Sequence, residues 1–368
     1  MSTTAPLRLM IAGGGTGGHL YPGIAVADAV RAAGGEVVFV GTERGLETRL
    51  VPQAGYELEL VSVSGLKRMG AAGLMRGLKR LPSAFLASRR ILKRHRPDVV
   101  LGVGGYASGP LVFTAALCGF PTAVQEQNSV PGFTNRVLGH LAKRVFVAFE
   151  AANRSFAQRK LRFTGNPVRR SLIERAATLA ARPGGGSILI LGGSQGSHAV
   201  NELASGMVRV LDARGRLPPI IHQTGADEYE RMQVHYGAFG YDERRVQVRA
   251  FIDDMPAALA DASLVVARAG ALTLAELAIM RRPAILIPLP TAADDHQTVN
   301  AMAFAGAGAA VVLSQPDASA TRLGDLADEI LGNPGRQVQM ARAMGELARP
   351  DATETVVGEL AAIARHRR

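Results

Sequence analysis

Leu7-Arg8-Leu9-Met10-Ile11-Ala12, then Gly13-Gly14-Gly15-Thr16-Gly17-Gly18-His19, then Leu20-Tyr21-Pro22-Gly23-Ile24-Ala25-Val26-Ala27 read in turn as a buried strand, a glycine turn and a helix. The same unit returns where Ser187-Ile188-Leu189-Ile190-Leu191 runs into Gly192-Gly193-Ser194-Gln195-Gly196-Ser197 and a further helical pattern. At such a junction the first-turn N–H groups and the helix dipole favour an anion, and glycine lets it come close. Two such units in a chain of 368 residues predict two similar domains facing one ligand.

Apolar β-rich runs alternate with helical patterns throughout, so the fold class is α/β, with parallel sheets covered by helices on both faces. The first half predicts strands at 7–12, 36–41, 57–63, 98–103, 122–125 and 145–148, and the second half at 187–192, 219–223, 246–249, 262–266, 284–288 and 309–313. Thr164-Gly165-Asn166-Pro167 reads as the exit from the first domain and Arg182-Pro183-Gly184-Gly185-Gly186 as a flexible lead into the second. Gly332-Asn333-Pro334-Gly335 is a turn, and a helical, Ala-rich tail follows it.

Hydrophobic residues make up 47% of the chain, yet no apolar run reaches the roughly 18–20 residues that span a bilayer. Met1–Pro6 lacks the features of a signal peptide, so the expectation is a soluble or membrane-peripheral protein. One cysteine excludes an internal disulfide; Cys118, in the apolar stretch Leu111–Phe120, reads as core. The net charge of +11 favours an anionic partner. Ten Lys/Arg and no Asp or Glu lie between Lys67 and Arg96, interleaved with Leu74, Leu78, Leu81 and Phe85 at helical spacing. That pattern fits a surface meeting anionic lipid head groups, and Pro82 is the residue that would interrupt the helix. Nucleic acid is disfavoured, because Phe85 is the stretch's one Phe, Tyr or Trp ring for base stacking.

Gly13, Gly15 and Gly18 also satisfy the dinucleotide pattern G-x-G-x-x-G, with Glu43 after the second strand as a ribose acid. Against this, the turn recurs in the second half and ends here in His19. A histidine beside a glycine turn at a helix N-terminus is placed either as a cap or as a general base for a substrate hydroxyl. A third turn, Gly102–Pro110, and the polar run Gln125-Glu126-Gln127-Asn128-Ser129 fall at strand C-terminal ends, the edge where open α/β sheets bind ligands. In the second half Asp253 or Asp254 caps a helix. Arg268-Ala269-Gly270-Ala271-Leu272-Thr273-Leu274-Ala275-Glu276 makes another strand–glycine–helix junction, whose Glu276 suits either ribose hydroxyls or the helix dipole. Asp294-Asp295-His296-Gln297 could grip sugar hydroxyls or cap a helix. No D-x-D and no metal-ligand cluster occurs, so no metal or other cofactor is expected.

Eight blocks in order carry a resemblance over nearly the whole chain: GGGTGGHLYP, GVGGYASGP, EQNSVPG, TGNPVR, GGSQGS, FIDDM, RAGALTLAE and DDHQTVNA. The chain resembles the MurG family, bacterial UDP-N-acetylglucosamine:undecaprenyl-diphospho-muramoyl-pentapeptide N-acetylglucosaminyltransferases. The resemblance implies a GT-B type fold of two Rossmann-like domains with a cleft between them. Residues 1–165 would form an N-terminal acceptor and membrane-binding domain, 166–348 a C-terminal UDP-GlcNAc-binding domain, and 349–368 a helix returning to the first domain. It implies donor contacts at Thr16, Gly17, Gly18, Asn128, Arg169, Ser194, Ile252 (whose backbone would read uracil), Ala271, Leu272, Thr273, Leu274, Ala275, Glu276 and Gln297. His296 stands where some relatives have a second Gln.

On this reading the 4-hydroxyl of a lipid-linked MurNAc (lipid I) attacks C1 of GlcNAc with inversion and loss of UDP. His19 is the candidate general base, with Glu126 as partner or substitute. The expected partners are UDP-GlcNAc, lipid I, an anionic membrane surface met through 67–96, and cell-wall synthesis and division proteins. The expected place is the cytoplasmic face of the bacterial cell membrane. The rival readings are another UDP-sugar glycolipid transferase or epimerase of the same fold, and an NAD(P) oxidoreductase.

Overall fold

The computed structural model describes residues 6–43, 45–62, 71–178 and 186–365, residues 71–81 by their backbone alone. Two compact units result, one of residues 1–169 with 350–368 and the other of residues 170–349.

The first unit alternates strands and helices in chain order: β1 (Arg8–Gly13), α1 (Gly17–Ala32), β2 (Glu36–Gly41), α2 (Glu47–Gln53), β3 (Glu57–Leu60), α3 (Ala71–His95), β4 (Val99–Gly104), α4 (Ser108–Leu117), β5 (Thr122–Glu126), α5 (Phe133–Leu141), β6 (Arg144–Val147) and β7 (Leu161–Phe163). The sheet order is β3-β2-β1-β4-β5-β6-β7, and its paired strands are parallel. Side chains alternate across a strand, so β1 feeds two cores. Leu9 and Ile11 pack with Leu20, Ile24 and Val26 of α1, while Met10 and Ala12 pack with Ile91, Leu92, Leu111 and Val112 of α3 and α4.

The second unit follows with α6 (Arg170–Thr178), β8 (Ser187–Leu191), α7 (His198–Ala213), β9 (Ile220–Gln223), α8 (Tyr229–Ala238), β10 (Val246–Arg249), α9 (Met255–Asp261), β11 (Ala262–Ala267), α10 (Ala271–Met280), β12 (Ala284–Leu286), α11 (His296–Gly306), β13 (Ala310–Val312), α12 (Ala320–Leu331) and α13 (Pro334–Glu346). Its sheet, order β10-β9-β8-β11-β12-β13, is also parallel. The last helix, α14 (Ala352–Arg365), returns to the first unit. Its Val356, Leu360 and Ile363 join the core of Leu9 and Ile11, and Glu359 accepts from Arg144 at 2.7 Å and from Arg162 at 2.9 Å.

All twelve predicted strands form, three of them shorter than expected by two residues or more: 57–63 shrinks to Glu57–Leu60, 284–288 to Ala284–Leu286 and 309–313 to Ala310–Val312. β7 went unpredicted, since this three-residue edge strand buries only Leu161 and leaves no apolar run to read. Pro82 does not interrupt α3, which runs unbroken from Ala71 to His95. A proline removes one amide and crowds one carbonyl, and burial of Ala84, Ser88, Ile91 and Leu92 holds the turns that follow it. Cys118 is exposed rather than core, because it is the C-cap of α4, where the chain turns through Gly119 towards β5. Lys67 and Arg68 lie outside the described residues, as do Arg182–Gly185.

The second core holds a neutral polar group. His222 of β9 is fully buried, with Nδ1 3.0 Å from the Tyr236 hydroxyl and Nε2 3.1 Å from Asn201 Oδ1. Asn201 spends its amide N–H on the Thr224 carbonyl, so Nε2–H donates to Oδ1 and Nδ1 accepts from tyrosine. Burial drives the imidazole pKa down to about 3. The unfolded chain binds a proton near pH 6.5 and the folded one does not. The second unit is therefore most stable above that value and weakens as pH falls from it towards 3. Going from pH 7.5 to 5 should cost about 2 kcal/mol, read as a lower urea midpoint, and His222→Gln should abolish most of that pH dependence.

Candidate active site

The predicted residues of the first unit gather at the C-terminal edge of its sheet. The β1–α1 turn and the β4–α4 turn touch backbone to backbone. Gly105, at φ +81°, has no room for a Cβ, which would lie 2.5 Å from the Gly14 carbonyl oxygen. Gly104, at φ +97°, carries the His19 ring, and a Cβ there would come within 2.7 Å of its Cδ2. Ser108 ties the turns together by accepting from Gly104 N–H at 3.1 Å and donating to the Ala12 carbonyl at 2.6 Å. His19 lies in the first turn of α1, half-buried, with Nδ1 3.2 Å from Thr16 Oγ1. Thr16, the N-cap, and Gly18 are exposed, while Gly17 is buried.

The polar run that closes β5 is tied to neighbouring elements by side-chain hydrogen bonds. Gln127 donates to the Val103 carbonyl at 2.9 Å, and Asn166 donates to the Gln127 carbonyl at 3.1 Å. Glu126 is 2% exposed and accepts from Asn128 N–H at 3.0 Å, Gly132 N–H at 3.1 Å and Asn135 Nδ2 at 2.9 Å. Burial pushes its carboxyl above the usual range, against the pull of those N–H donors. Both oxygens thus shape the loop that presents half-buried Asn128. The Arg169 guanidinium lies over the Tyr21 ring of α1 at 5.4 Å. Glu43, the acid of the dinucleotide reading, accepts from the Ser62 hydroxyl at 3.0 Å.

The second unit gathers its own set at the same edge of its sheet. Gly196 and Gly225, both at positive φ, interlock so tightly that a Cβ on Gly196 would sit 2.0 Å from the Thr224 carbonyl. Ser194 is exposed at the tip of this turn. Gln223, which sequence reasoning passed over, donates to the Gly193 carbonyl and accepts from Ile252 N–H, each at 3.0 Å. It fixes the glycine turn to the Phe251–Met255 segment, whose Asp254 caps α9. Its signal was a polar pair, His222-Gln223, closing an apolar strand.

Arg268 was quoted in its motif without a role. Its guanidinium, 7% exposed, donates to the Ile287 and Pro288 carbonyls at 3.1 Å and to Ser197 Oγ and Gln315 Oε1 at 2.8 Å. None of these partners is a carboxylate, so the cation is held by dipoles alone, and burial lowers its pKa. Two residues on, Gly270 is the N-cap of α10, whose first turn holds Ala271, Leu272 and Thr273. Leu274, Ala275 and Glu276 continue the helix. Glu276 is 8% exposed and lies beyond the first turn, which takes it out of the dipole-compensating position. Gln297 accepts from Leu289 N–H at 3.0 Å, and His296 Nδ1 lies 2.7 Å from the Ala293 carbonyl, so both shape their own loop. Among the described residues the one cluster with metal-ligand spacing is Glu57, Glu59 and His95. Arg94 already pairs with Glu59 there at 2.7 Å.

Residues 9–147 match the Glycosyltransferase family 28 N-terminal domain and residues 187–356 the Glycosyltransferase family 28 C-terminal domain. The UDP-N-acetylglucosamine--N-acetylmuramyl-(pentapeptide) pyrophosphoryl-undecaprenol N-acetylglucosamine transferase of Anaeromyxobacter sp. (strain K) is 49% identical, over 98% of this chain and 94% of its own. The protein of the same name from Myxococcus xanthus is 47% identical over 95% and 91%. The crystal structure of Acinetobacter baumannii MurG is 33% identical and superposes with a TM-score of 0.77, over 97% of this chain and 100% of that one. The resemblance read from eight sequence blocks therefore holds over the whole fold: the chain belongs to glycosyltransferase family 28, among the N-acetylglucosaminyltransferases of the MurG family.

Proposed function

We propose that this chain transfers GlcNAc from UDP-GlcNAc to the 4-hydroxyl of MurNAc in undecaprenyl-diphospho-MurNAc-pentapeptide, with inversion, the step that makes lipid II for peptidoglycan. The observation that carries the mechanism is the seating of His19. Its ring rests on Gly104 and its Nδ1 meets Thr16 Oγ1, which seats the imidazole at the sheet edge as the group to take the hydroxyl proton. Glu126 acts through the loop that presents Asn128 rather than as the base. The acceptor belongs to the first unit. In the second, the N-terminus of α10 and the Arg268 cation favour a diphosphate and its departure. Glu276 takes the ribose hydroxyls. Ile252 reads uracil through its carbonyl, since its N–H is given to Gln223. Ser194 and Gln297 lie on the turns that border this donor.

Labelled UDP-GlcNAc and a lipid I analogue should give a labelled disaccharide. UDP release with no acceptor product would overturn the reading, and interconversion of UDP-sugars without acceptor would replace it with epimerase chemistry.

α3 supports a peripheral place on the membrane. Among the described residues no helix is long and apolar enough to cross a membrane. In α3, Ala84, Ser88, Ile91 and Leu92 face the core, while Leu86, Arg89, Arg90 and Lys93 are exposed. That arrangement fits docking on anionic lipid, beside which cell-wall and division proteins would gather. Neutralising Arg89 and Arg90 together with glutamine should weaken binding to anionic vesicles by about 2 kcal/mol, roughly 30-fold, and leave binding to zwitterionic vesicles unchanged. Equal partition of both proteins would remove α3 from the contact.

A further inference from the structure

The first glycine turn is pinned from two sides. Gly14 and Gly15 stand at φ +154° and +86°, and consecutive glycines are the loosest backbone a chain can offer. A turn built that way keeps one shape only where something outside it fixes it. On one side the Gly105 backbone presses on the Gly14 carbonyl. On the other stands Glu47, the first residue of α2, 1% exposed. One of its carboxylate oxygens accepts Gly15 N–H at 2.7 Å, and the other accepts Thr42 N–H and Thr42 Oγ1–H, both at 2.8 Å.

Glycine makes the room for that side chain. A Cβ on Gly14 would lie 2.2 Å from the Glu47 Cδ, one on Gly41 2.4 Å from its Cγ, and one on Gly45 1.8 Å from its Oε2. The chemistry of the group matters as much as its shape. A carboxylate accepts on both oxygens, so it holds the Gly15 and Thr42 amides together. A side-chain amide of the same size has one acceptor oxygen and sets its own N–H against one of those donors. The grip ends at Gly15. Thr16, Gly17 and Gly18, which the donor reading needs, come after it, and His19 closes the run with Nδ1 3.2 Å from Thr16 Oγ1. Sequence reasoning gave Glu47 no role.

We propose that Glu47 is a positioning residue of the reaction. Through Gly15 it holds the β1–α1 turn in the shape that sets Thr16 and His19 for proton transfer. This rests on the part given above to His19.

Turnover assays of the full chain, with UDP-GlcNAc and a lipid I analogue both saturating, test this through a double-mutant cycle. Glu47→Gln should lower kcat about tenfold. In a His19→Ala background the same change should lower kcat by no more than about twofold, since a group that acts through His19 has nothing left to act on. Val51→Ala is the control for stability. Val51 is fully buried one turn further along α2, so its loss should lower the thermal midpoint and leave kcat within about twofold. Glu47→Asp keeps the charge but draws the carboxylate back by one methylene, and a fall of about threefold is expected. It takes the place of Glu47→Gln in the cycle should that variant not fold. Unchanged kcat in the folded Glu47 variant overturns the proposal. So does a loss of kcat in Val51→Ala as large as that of the Glu47 variant. Near-normal turnover of His19→Ala alone brings down the base of the function reading, and this proposal with it. A slow His19→Ala, with equal Glu47 losses in both backgrounds, brings down this proposal alone.

Discussion

His19→Ala should lower kcat by about 10²- to 10⁴-fold while UDP binding, measured by calorimetry, stays unaltered. The expectation comes from the place of the ring. It is held on one side by the Gly104 backbone and tied at Nδ1 to Thr16, and the glycine turns beneath it have no slack to reposition another base. Thr16→Val tests that tie separately. It keeps the imidazole and removes one hydrogen bond worth about 1 kcal/mol, so kcat should fall only five- to tenfold. Near-normal turnover of His19→Ala would remove the residue as base. A fall matched by an equal loss of thermal stability would assign it to the fold instead.

Arg268→Met should weaken UDP binding by about 10- to 100-fold, the loss expected when a charge-assisted contact disappears, and should lower the stability of the second unit by about 3 kcal/mol. The stability term follows from the four acceptors left behind: Ser197 Oγ, Gln315 Oε1 and the Ile287 and Pro288 carbonyls. The binding term follows from a buried cation that no carboxylate neutralises. Arg268→Lys should rescue little of either, since one ammonium cannot span two carbonyls and two side chains as the planar fork does. Unaltered UDP affinity in a folded Arg268→Met protein would confine the residue to architecture.

The sheets were legible because parallel strands covered on both faces must be apolar almost throughout, as Ser187–Leu191 and Val99–Gly104 are. β7 escaped because an edge strand is under no such demand. The glycine turns were legible through their place at strand C-terminal ends. What filled them was not. Glu47, whose carboxylate accepts Gly15 N–H at 2.7 Å, sits in an unremarkable Gly-Leu-Glu-Thr-Arg. Gln223 and Arg268 organise the second unit by long-range hydrogen bonds, which leave no trace in local spacing. Glu126 was noticed for the right reason, a polar residue closing a buried strand. Its chemistry depended on where three N–H donors lay, one of them nine residues away on Asn135.

The return of α14 has a consequence for biosynthesis. Residues 170–349 form one uninterrupted length of chain, whereas the unit around them is complete only when Ala352–Arg365 has been made. Until then Leu9, Ile11 and Leu20 lack Val356, Leu360 and Ile363, and Arg144 and Arg162 lack Glu359. The ribosome thus completes the second unit's chain while the first still waits for its closing piece. Translation that stops just before Ala352 would leave a half-covered apolar face open to chaperones and proteases.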